Sequence, residues 1–296
     1  MVPALSSQYA ILEFIQWIKN PPLDYLMLVI TNIGSETFYS VALVILFWYS
    51  KEKQTYYSAF MLMVTFILMD VLKNYFGMHR PLVAEAKALG YHIRIIGAST
   101  GGGYGLPSGH TMASFVFWYF IYIHYSARWV KMTSVFFMVA IPFSRVYLGV
   151  HFPLDVVAGY FFAVLILSLS LFFHGYSRTI EKPRYWFLSL AALLVFLLAV
   201  GTYPTETVYK SGGSLAGLLV SGFLLGSLTE SGRALTVRTG VIGLLGIIII
   251  LAAKTGLKKI LEPVFTLASV ADFIRYFIVA LAGFYLVPVV FRKKGN

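Results

Sequence analysis

The chain has no cysteine, which excludes disulfides and thiolate metal sites and removes redox state as a guide to compartment. Charge is scarce as well: 12% of the 296 residues are charged, and Asp+Glu number 12 against 23 Lys+Arg. A soluble two-domain protein of this length would carry about twice that share of charge. The first twenty residues have no basic stretch ahead of their apolar part, and Glu13 interrupts it, so they do not read as a secretory leader. Tandem repeats and functional low-complexity tracts are also missing, since runs such as Ile247–Ile250 have the composition of membrane spans.

What is present is apolar. Hydrophobic residues make up 59% of the chain and mean hydropathy is +0.79, values of a polytopic membrane protein. The formal net charge of +11 raises the question of nucleic acid, but the Lys and Arg residues are scattered through short loops between apolar runs. Anionic lipid headgroups and phosphorylated substrates suit that distribution better, and nucleic acid is not expected as a partner.

A hydrocarbon core of about 30 Å needs about 20 apolar residues per helix. Runs of that kind lie near 24–49, 54–75, 108–125, 129–149, 153–174, 184–202, 211–229, 236–254 and 271–291. The expected fold is therefore all-α, a polytopic membrane helical bundle of about nine transmembrane helices. Asn32-Ile33-Gly34-Ser35-Glu36 breaks the first run into two pieces, and the polar, glycine-rich stretch from Gly77 to Pro107 reads as a long loop. Ahead of the runs, Ile11, Phe14, Ile15 and Ile18 fall at i, i+3, i+4 and i+7 and Pro21-Pro22 stops the pattern. Two readings fit: a helix lying in the membrane interface, or an amphipathic helix packed on protein. Gly213-x3-Gly217 and Gly222-x3-Gly226 let helices approach closely, as packing within the chain in preference to a dimer seam, which leaves a homo-oligomer open.

With nine spans, one face collects Lys51, Lys53, Arg128, Lys131, Arg178, Lys182, Arg184, Arg233, Arg238, Arg292, Lys293 and Lys294 against Glu52, Glu181 and Glu230. The positive-inside rule puts this face in the cytoplasm and the opposite one outside, in what is expected to be a cell (inner) membrane.

Three short blocks of polar residues fall on that opposite face: Lys73 with Arg80-Pro81, Pro107-Ser108-Gly109-His110, and Ser144-Arg145 with His151 and Asp155. His151 and Asp155 stand four apart where a helix begins, so the carboxylate can bond one imidazole nitrogen and leave the other as a lone-pair donor. A nucleophilic histidine needs that arrangement, although an isolated pair of this spacing is usually a local structural contact. His110 follows Ser108-Gly109 at a helix start, where unpaired backbone N–H groups and the helix dipole favour an anion. The same tetrapeptide also serves as a plain helix entry capped by Ser108. Arg80 and Arg145 offer forked, permanently charged donors and Lys73 a point charge; singly, each reads as a snorkelling interfacial cation. Asp70, one turn before Lys73, is assigned a structural ion pair. His79 adjoins Arg80 and is placed beside the site. His92 sits in the loop, and His124 and His174 mark span ends. No pair has metal-ligand spacing, so no metal site is expected. Gly101–Gly105 lacks the Lys-Ser/Thr ending of a phosphate loop and reads as a lid or linker. Glu36, Asp70 and Glu230, inside spans, would fit an ion pathway in a transporter, but no inverted repeat accompanies them.

Taken in order, Lys73-x6-Arg80-Pro81, Pro107-Ser108-Gly109-His110 and Ser144-Arg145-x5-His151-x3-Asp155 resemble the three blocks of the type 2 phosphatidic acid phosphatase superfamily, which also contains vanadium haloperoxidases and glucose-6-phosphatases. The resemblance implies a six-helix phosphatase core over 23–175, preceded by the interfacial helix of 1–22 and followed by additional C-terminal transmembrane helices over 176–296. It implies a phosphatase working through phosphohistidine: His151 attacks phosphorus, Asp155 orients it, and His110 protonates the departing oxygen and then activates water. Lys73, Arg80, Ser108, Gly109 and Arg145 would hold the phosphoryl oxygens, with no cofactor and no metal. The expected substrate is a lipid phosphate or pyrophosphate, such as a polyprenyl pyrophosphate, phosphatidate, phosphatidylglycerophosphate or a sphingoid-base phosphate. Hydrolysis of a soluble sugar phosphate is the alternative, with phosphotransfer to another acceptor or transport behind it.

Overall fold

The computed structural model describes residues 2–50, 52–176, 183–225, 237–261, 263 and 267–292. Lys51, Arg178, Glu181, Lys182, Gly226, Glu230, Arg233, Lys293 and Lys294, which enter the expectations above, lie outside the described residues. All regular structure among the described residues is helical. The chain divides into two compact units, the first made of Met1–Tyr39 with Leu72–Gly175 and the second of Ser40–Val71 with Tyr176–Asn296.

The first unit opens with α1 (Val2–Gln16). Tyr9 and Leu12 are fully buried and pack with Ala86, Ile93, Val146 and Phe152. The Tyr9 hydroxyl donates to Glu85 Oε2 at 2.6 Å and accepts from the Leu82 N–H at 3.1 Å. Burial, then the Glu85 carboxylate, pushes that hydroxyl up to about 12, which keeps it a donor at neutral pH. Gln16 reaches across to the Arg94 and Tyr147 carbonyls, each at 2.8 Å, and accepts from the Arg94 N–H at 2.7 Å. The face that packs on protein is thus Tyr9, Leu12 and Gln16, with Ile15 beside it. Ile11, Phe14 and Ile18 of the expected stripe are exposed together with Trp17, and Ile18 lies beyond the helix end. Apolar spacing alone missed that face because two of its three residues are polar and are buried with partners.

Asn20 caps α2 (Pro21–Ile33) by accepting the Leu23 N–H at 2.9 Å, and Pro21-Pro22 occupies the positions where no N–H is needed. The break at Gly34 separates α2 from α3 (Glu36–Tyr49), and the two axes differ by 53°. The last turn of α4 (Glu52–Phe76) returns the chain to this unit at Leu72. The long loop that follows is not featureless, because it holds the short helix α5 (Val83–Ala88) and a single tight turn at Ala98–Thr100. A two-pronged ion pair, Arg94 to both Asp24 oxygens at 3.0 Å, fastens it to α2. Next come α6 (Gly109–His124), α7 (Arg128–Tyr147) and α8 (Pro153–Tyr176). Gly149, between α7 and α8, has φ +73, and an added Cβ would run into the Arg94 carbonyl. Both facts demand glycine at that turn.

The second unit contains α9 (Pro183–Thr202), α10 (Glu206–Leu225), α11 (Val237–Leu261), α12 (Ala268–Leu281) and α13 (Val287–Arg292), with a widened turn at Ala282–Leu286. Gly213 and Gly217 of α10 lie against the backbone of α12 at Phe273 and Phe277, so this small-residue spacing serves packing within the chain. Gly222 lies against the Tyr56 ring. The Trp48 indole donates to the Gly283 carbonyl at 2.8 Å, a group the widened turn releases from the helical ladder. Asp70 accepts a hydrogen bond from the Thr205 hydroxyl.

Among the described residues five helices are long and apolar enough to cross a membrane, Lys53–Phe76, Arg128–Tyr147, Glu206–Leu225, Gly240–Leu261 and Ala268–Val290, and the bent pair α2–α3 makes up to six. The described parts of α8 and α9 add shorter apolar segments at 153–169 and 190–202. At 16 residues α6 is about 24 Å long, short of a full hydrocarbon core. The chain is therefore an integral multi-pass membrane protein on its apolar helices.

Candidate active site

The three blocks converge in the first unit. Block two is tied to block three through the backbone, the Ser108 N–H donating to the Asp155 carbonyl at 2.9 Å. That bond sets the start of α6 beside the start of α8. At Gly159 an added Cβ would press on Thr111 and on the Ser108 carbonyl, so the two helices meet at close range there as well. Block three is folded back on itself: the Val150 N–H bonds the Arg145 carbonyl at 3.1 Å, and Gly149 permits the reversal that brings His151 round from the end of α7.

His151 is almost wholly buried, as is Asp155. Imidazole Nδ1 lies 3.1 Å from Asp155 Oδ2, an oxygen that also takes the Phe152 N–H at 2.9 Å. The other nitrogen, Nε2, lies 2.9 Å from Arg80 Nη1. A guanidinium only donates, so Nε2 must be the acceptor and Nδ1 must carry the proton. The His151 lone pair is therefore on Nε2, facing a cation. Burial holds this imidazole well below the usual histidine range, and the charges of Arg80, Arg145, Lys73 and His110 act in the same direction. His110, at the first turn of α6, is thus part of the same electrostatic site as His151.

Each of the three cations is held by the glycine-rich loop. Lys73 Nζ donates to the Tyr104 carbonyl at 2.7 Å. Arg80 Nε donates to Gly103 O at 3.0 Å and Nη2 to Gly102 O at 2.8 Å, while Nη1 also reaches Val150 O at 2.8 Å. Arg145 Nη2 donates to Thr100 O at 3.1 Å, and its Nη1 donates to the Thr100 and Thr31 hydroxyls, both at 2.7 Å. Carbonyls of the Gly101–Gly105 segment thus hold Arg80 and Lys73, and that of Thr100, just ahead of it, holds Arg145. A Cβ at Gly101 would lie 2.9 Å from Arg80 Nη1, so a side chain there would displace the guanidinium.

Two buried donors at this site have no hydrogen-bond partner among the described residues, Ser108 Oγ and Arg145 Nε. Ser108 stands at the N-cap of α6 without making the side-chain cap bond. Leaving such groups unpaired costs about 1–3 kcal/mol each, and both are free to donate to a ligand. A cation-rich site with spare donors, a helix N-terminus and an oriented imidazole has the parts to bind a tetrahedral oxyanion and attack its central atom. Among the described residues no group of three His, Asp or Glu side chains is placed to hold a metal ion.

Of the sequence-derived candidates, His151, Asp155, Arg80, Lys73, Arg145, Ser108, Gly109 and His110 come together. His79 stays at the rim, its side chain more than half exposed and bonded to the carbonyl of Arg80, with Glu85 4.0 Å away. His92 is remote, paired with Glu13. Sequence reasoning missed Thr31, Gly34 and Thr100, and the loop carbonyls; the break at Asn32-Ile33-Gly34 was the one visible signal for the first two.

Residues 54–179 match the family described as PAP2 superfamily, and residues 209–295 match the PAP2 superfamily phosphatase, transmembrane extension. The chain is similar to a Dictyostelium discoideum protein named "Probable sphingosine-1-phosphate phosphatase", at 29% identity over 235 residues, which cover 72% of this chain and 54% of that protein. It thus spans about half the length of that relative. A Bacteroides thetaiotaomicron protein named "Lipid A 4'-phosphatase" is 30% identical over 158 residues, covering 50% of this chain and 68% of that protein. No solved structure gives a significant match. With the three polar blocks gathered around one imidazole, these matches leave one assignment: the chain belongs to the PAP2 superfamily.

Proposed function

We propose that the protein is an integral-membrane phosphatase that hydrolyses a lipid phosphate or pyrophosphate through a phosphohistidine intermediate. The observation that carries this reading is the two-sided hold on His151, Asp155 on Nδ1 and Arg80 on Nε2, inside a ring of three cations. Both relatives named above are, by name, phosphatases of lipids, which supports the substrate class.

The phosphoryl oxygens take over donors now spent on neutral carbonyls. Charge-assisted bonds to a phosphate are about twice as strong as bonds to a carbonyl, so Lys73, Arg80 and Arg145 favour the exchange. Ser108 Oγ and the N–H groups at Gly109 complete the oxyanion site. When Arg80 Nη1 moves from His151 Nε2 to an oxygen, the Nε2 lone pair is freed to attack phosphorus. The N–P bond forms as the P–O bond to the lipid breaks, and His110, protonated once the phosphate dianion offsets the surrounding cations, gives its proton to the departing oxygen and is left neutral. In the second half His110 takes a proton from water, the water oxygen attacks phosphorus, and the N–P bond breaks to release inorganic phosphate and neutral His151. Asp155 carries the positive charge of the imidazole through both halves.

The polypeptide is read as nine spans, with a six-helix core around the site and the C-terminal helices as an extension. The site then opens at the extracytoplasmic face, where a headgroup can enter while its tail remains in the bilayer. Purified protein in detergent should release phosphate from at least one of phosphatidate, a polyprenyl pyrophosphate or a sphingoid-base phosphate. Acid quenching destroys a phosphohistidine and alkaline quenching preserves it, so a radiolabelled, alkali-stable adduct on the parent and none on His151→Ala is the expected result. Near-normal turnover by His151→Ala would refute the assignment.

A further inference from the structure

The last turn of α2 touches two of the site residues, yet it lies outside the matched PAP2 segment, which begins at residue 54. Thr31 is fully buried, and its hydroxyl accepts from Arg145 Nη1 at 2.7 Å. With the two bonds to Thr100, this fixes the outer edge of the guanidinium and leaves Nε, buried and unpartnered, on the other edge. Three residues on, the Gly34 N–H closes the turn on the Thr31 carbonyl at 2.9 Å. A methyl group at Gly34 would lie 2.6 Å from Ile141 Cγ2 and 3.0 Å from the His110 ring at Cδ2. One turn therefore backs both the guanidinium of Arg145 and the imidazole of His110.

We propose that the Thr31–Gly34 turn is a positioning element for catalysis, with the Thr31 hydroxyl setting the rotation of Arg145 so that its Nε edge meets the phosphoryl group. This rests on Arg145 being a phosphoryl ligand, as argued above. A planar donor fork gains its advantage from alignment, and a guanidinium held by one threonine instead of two can rotate about its Cδ–Nε bond. Gly34 adds the second constraint, since only a residue without a side chain lets α2 approach the His110 ring. The kink between α2 and α3 thus has a use at the site as well as in the span.

The test is a double-mutant cycle on the full chain in detergent, read both as affinity for inorganic phosphate by titration calorimetry and as kcat/KM on phosphatidate micelles. Thr31→Val should weaken phosphate binding and lower kcat/KM by about tenfold to a hundredfold, the range for a lost hydrogen bond to a charged group. Thr31→Ser, which keeps the acceptor, should recover most of that loss. In an Arg145→Ala background the Thr31→Val change should alter either quantity by less than about twofold, because the group it acts through is gone. Thr31→Ala against Thr31→Ser carries the same comparison should the valine variant fail to fold. A Thr31→Val protein within twofold of the parent, or a loss that persists undiminished with Arg145→Ala, overturns the proposal. Turnover surviving in His151→Ala would instead strike the phosphohistidine reading and leave the phosphate-binding cycle intact as evidence on Thr31.

Discussion

Asp155→Asn isolates the electrostatic part of the proposed reaction with almost no change in shape. In the resting site Asp155 Oδ2 is 3.1 Å from His151 Nδ1 and 2.9 Å from the Phe152 N–H. An asparagine carbonyl can keep both bonds, so the turn that carries His151 should persist. What disappears is the negative charge opposite an imidazole that becomes cationic as Nε2 bonds to phosphorus. With full charges at the observed separation and an effective dielectric constant of 20, the lost attraction is about 5 kcal/mol. A transition state with half of that charge developed loses about 2.5 kcal/mol. At 1.36 kcal/mol per decade these bounds correspond to roughly a hundredfold to ten-thousandfold in kcat. Single-turnover rates on phosphatidate micelles, with inorganic phosphate affinity as the control for binding, would measure it. The phosphate affinity should move by less than about threefold, because Asp155 faces the imidazole and not the oxyanion. A loss in kcat below tenfold would refute the reasoning, since it would mean that no positive charge builds on His151.

Other perturbations reach the scaffold and the ionisation of the site. Burial, aided by Arg80, Arg145, Lys73 and His110, lowers the His151 pKa, so the nucleophile stays unprotonated as pH falls through the ordinary histidine value of 6.5. After allowance for the substrate's own second ionisation near pH 6, the acid limb of kcat/KM should therefore have its midpoint below pH 6.5, and one above it would contradict this. Gly149→Ala should lower the midpoint of heat unfolding in detergent, since it forces an alanine to φ +73 and against the Arg94 carbonyl, a cost of about 2 kcal/mol or more. Gln16→Ala removes three hydrogen bonds to Arg94 and Tyr147 and should destabilise by roughly 2–3 kcal/mol, again read by heat unfolding; an unchanged midpoint would show that α1 is not a structural part of the first unit.

The helical class, the break in the first span and the membership of the three polar blocks were legible because they rest on properties that survive in a one-dimensional string. Apolar runs announce spans, Gly34 announces a break, and cations inside a greasy chain are costly enough to mean something. Boundaries were less legible. The run expected from 211 starts as α10 at Glu206, because Glu206 and Lys210 pair along the helix and let a polar turn extend the span. The buried face of α1 was hidden for a related reason: it depends on Tyr9 and Gln16, whose polar atoms find partners on α5, the following loop and α7 that lie far away in sequence.

Within the site, the charged side chains were identifiable and their restraints were not, for a reason intrinsic to the chemistry. Arg80 and Lys73 are aimed by the carbonyls of Gly102, Gly103, Tyr104 and Val150, and a carbonyl is the same group whichever residue carries it. Sequence records the loop's glycines, and at Gly101 a Cβ would come within 2.9 Å of the Arg80 guanidinium, but it does not record which carbonyl faces which cation. Arg145 differs in taking two of its bonds from side chains, the hydroxyls of Thr31 and Thr100. Substituting those two threonines can therefore separate the aim of a cation from its presence. Arg145 is for that reason the place where positioning can be measured apart from electrostatics.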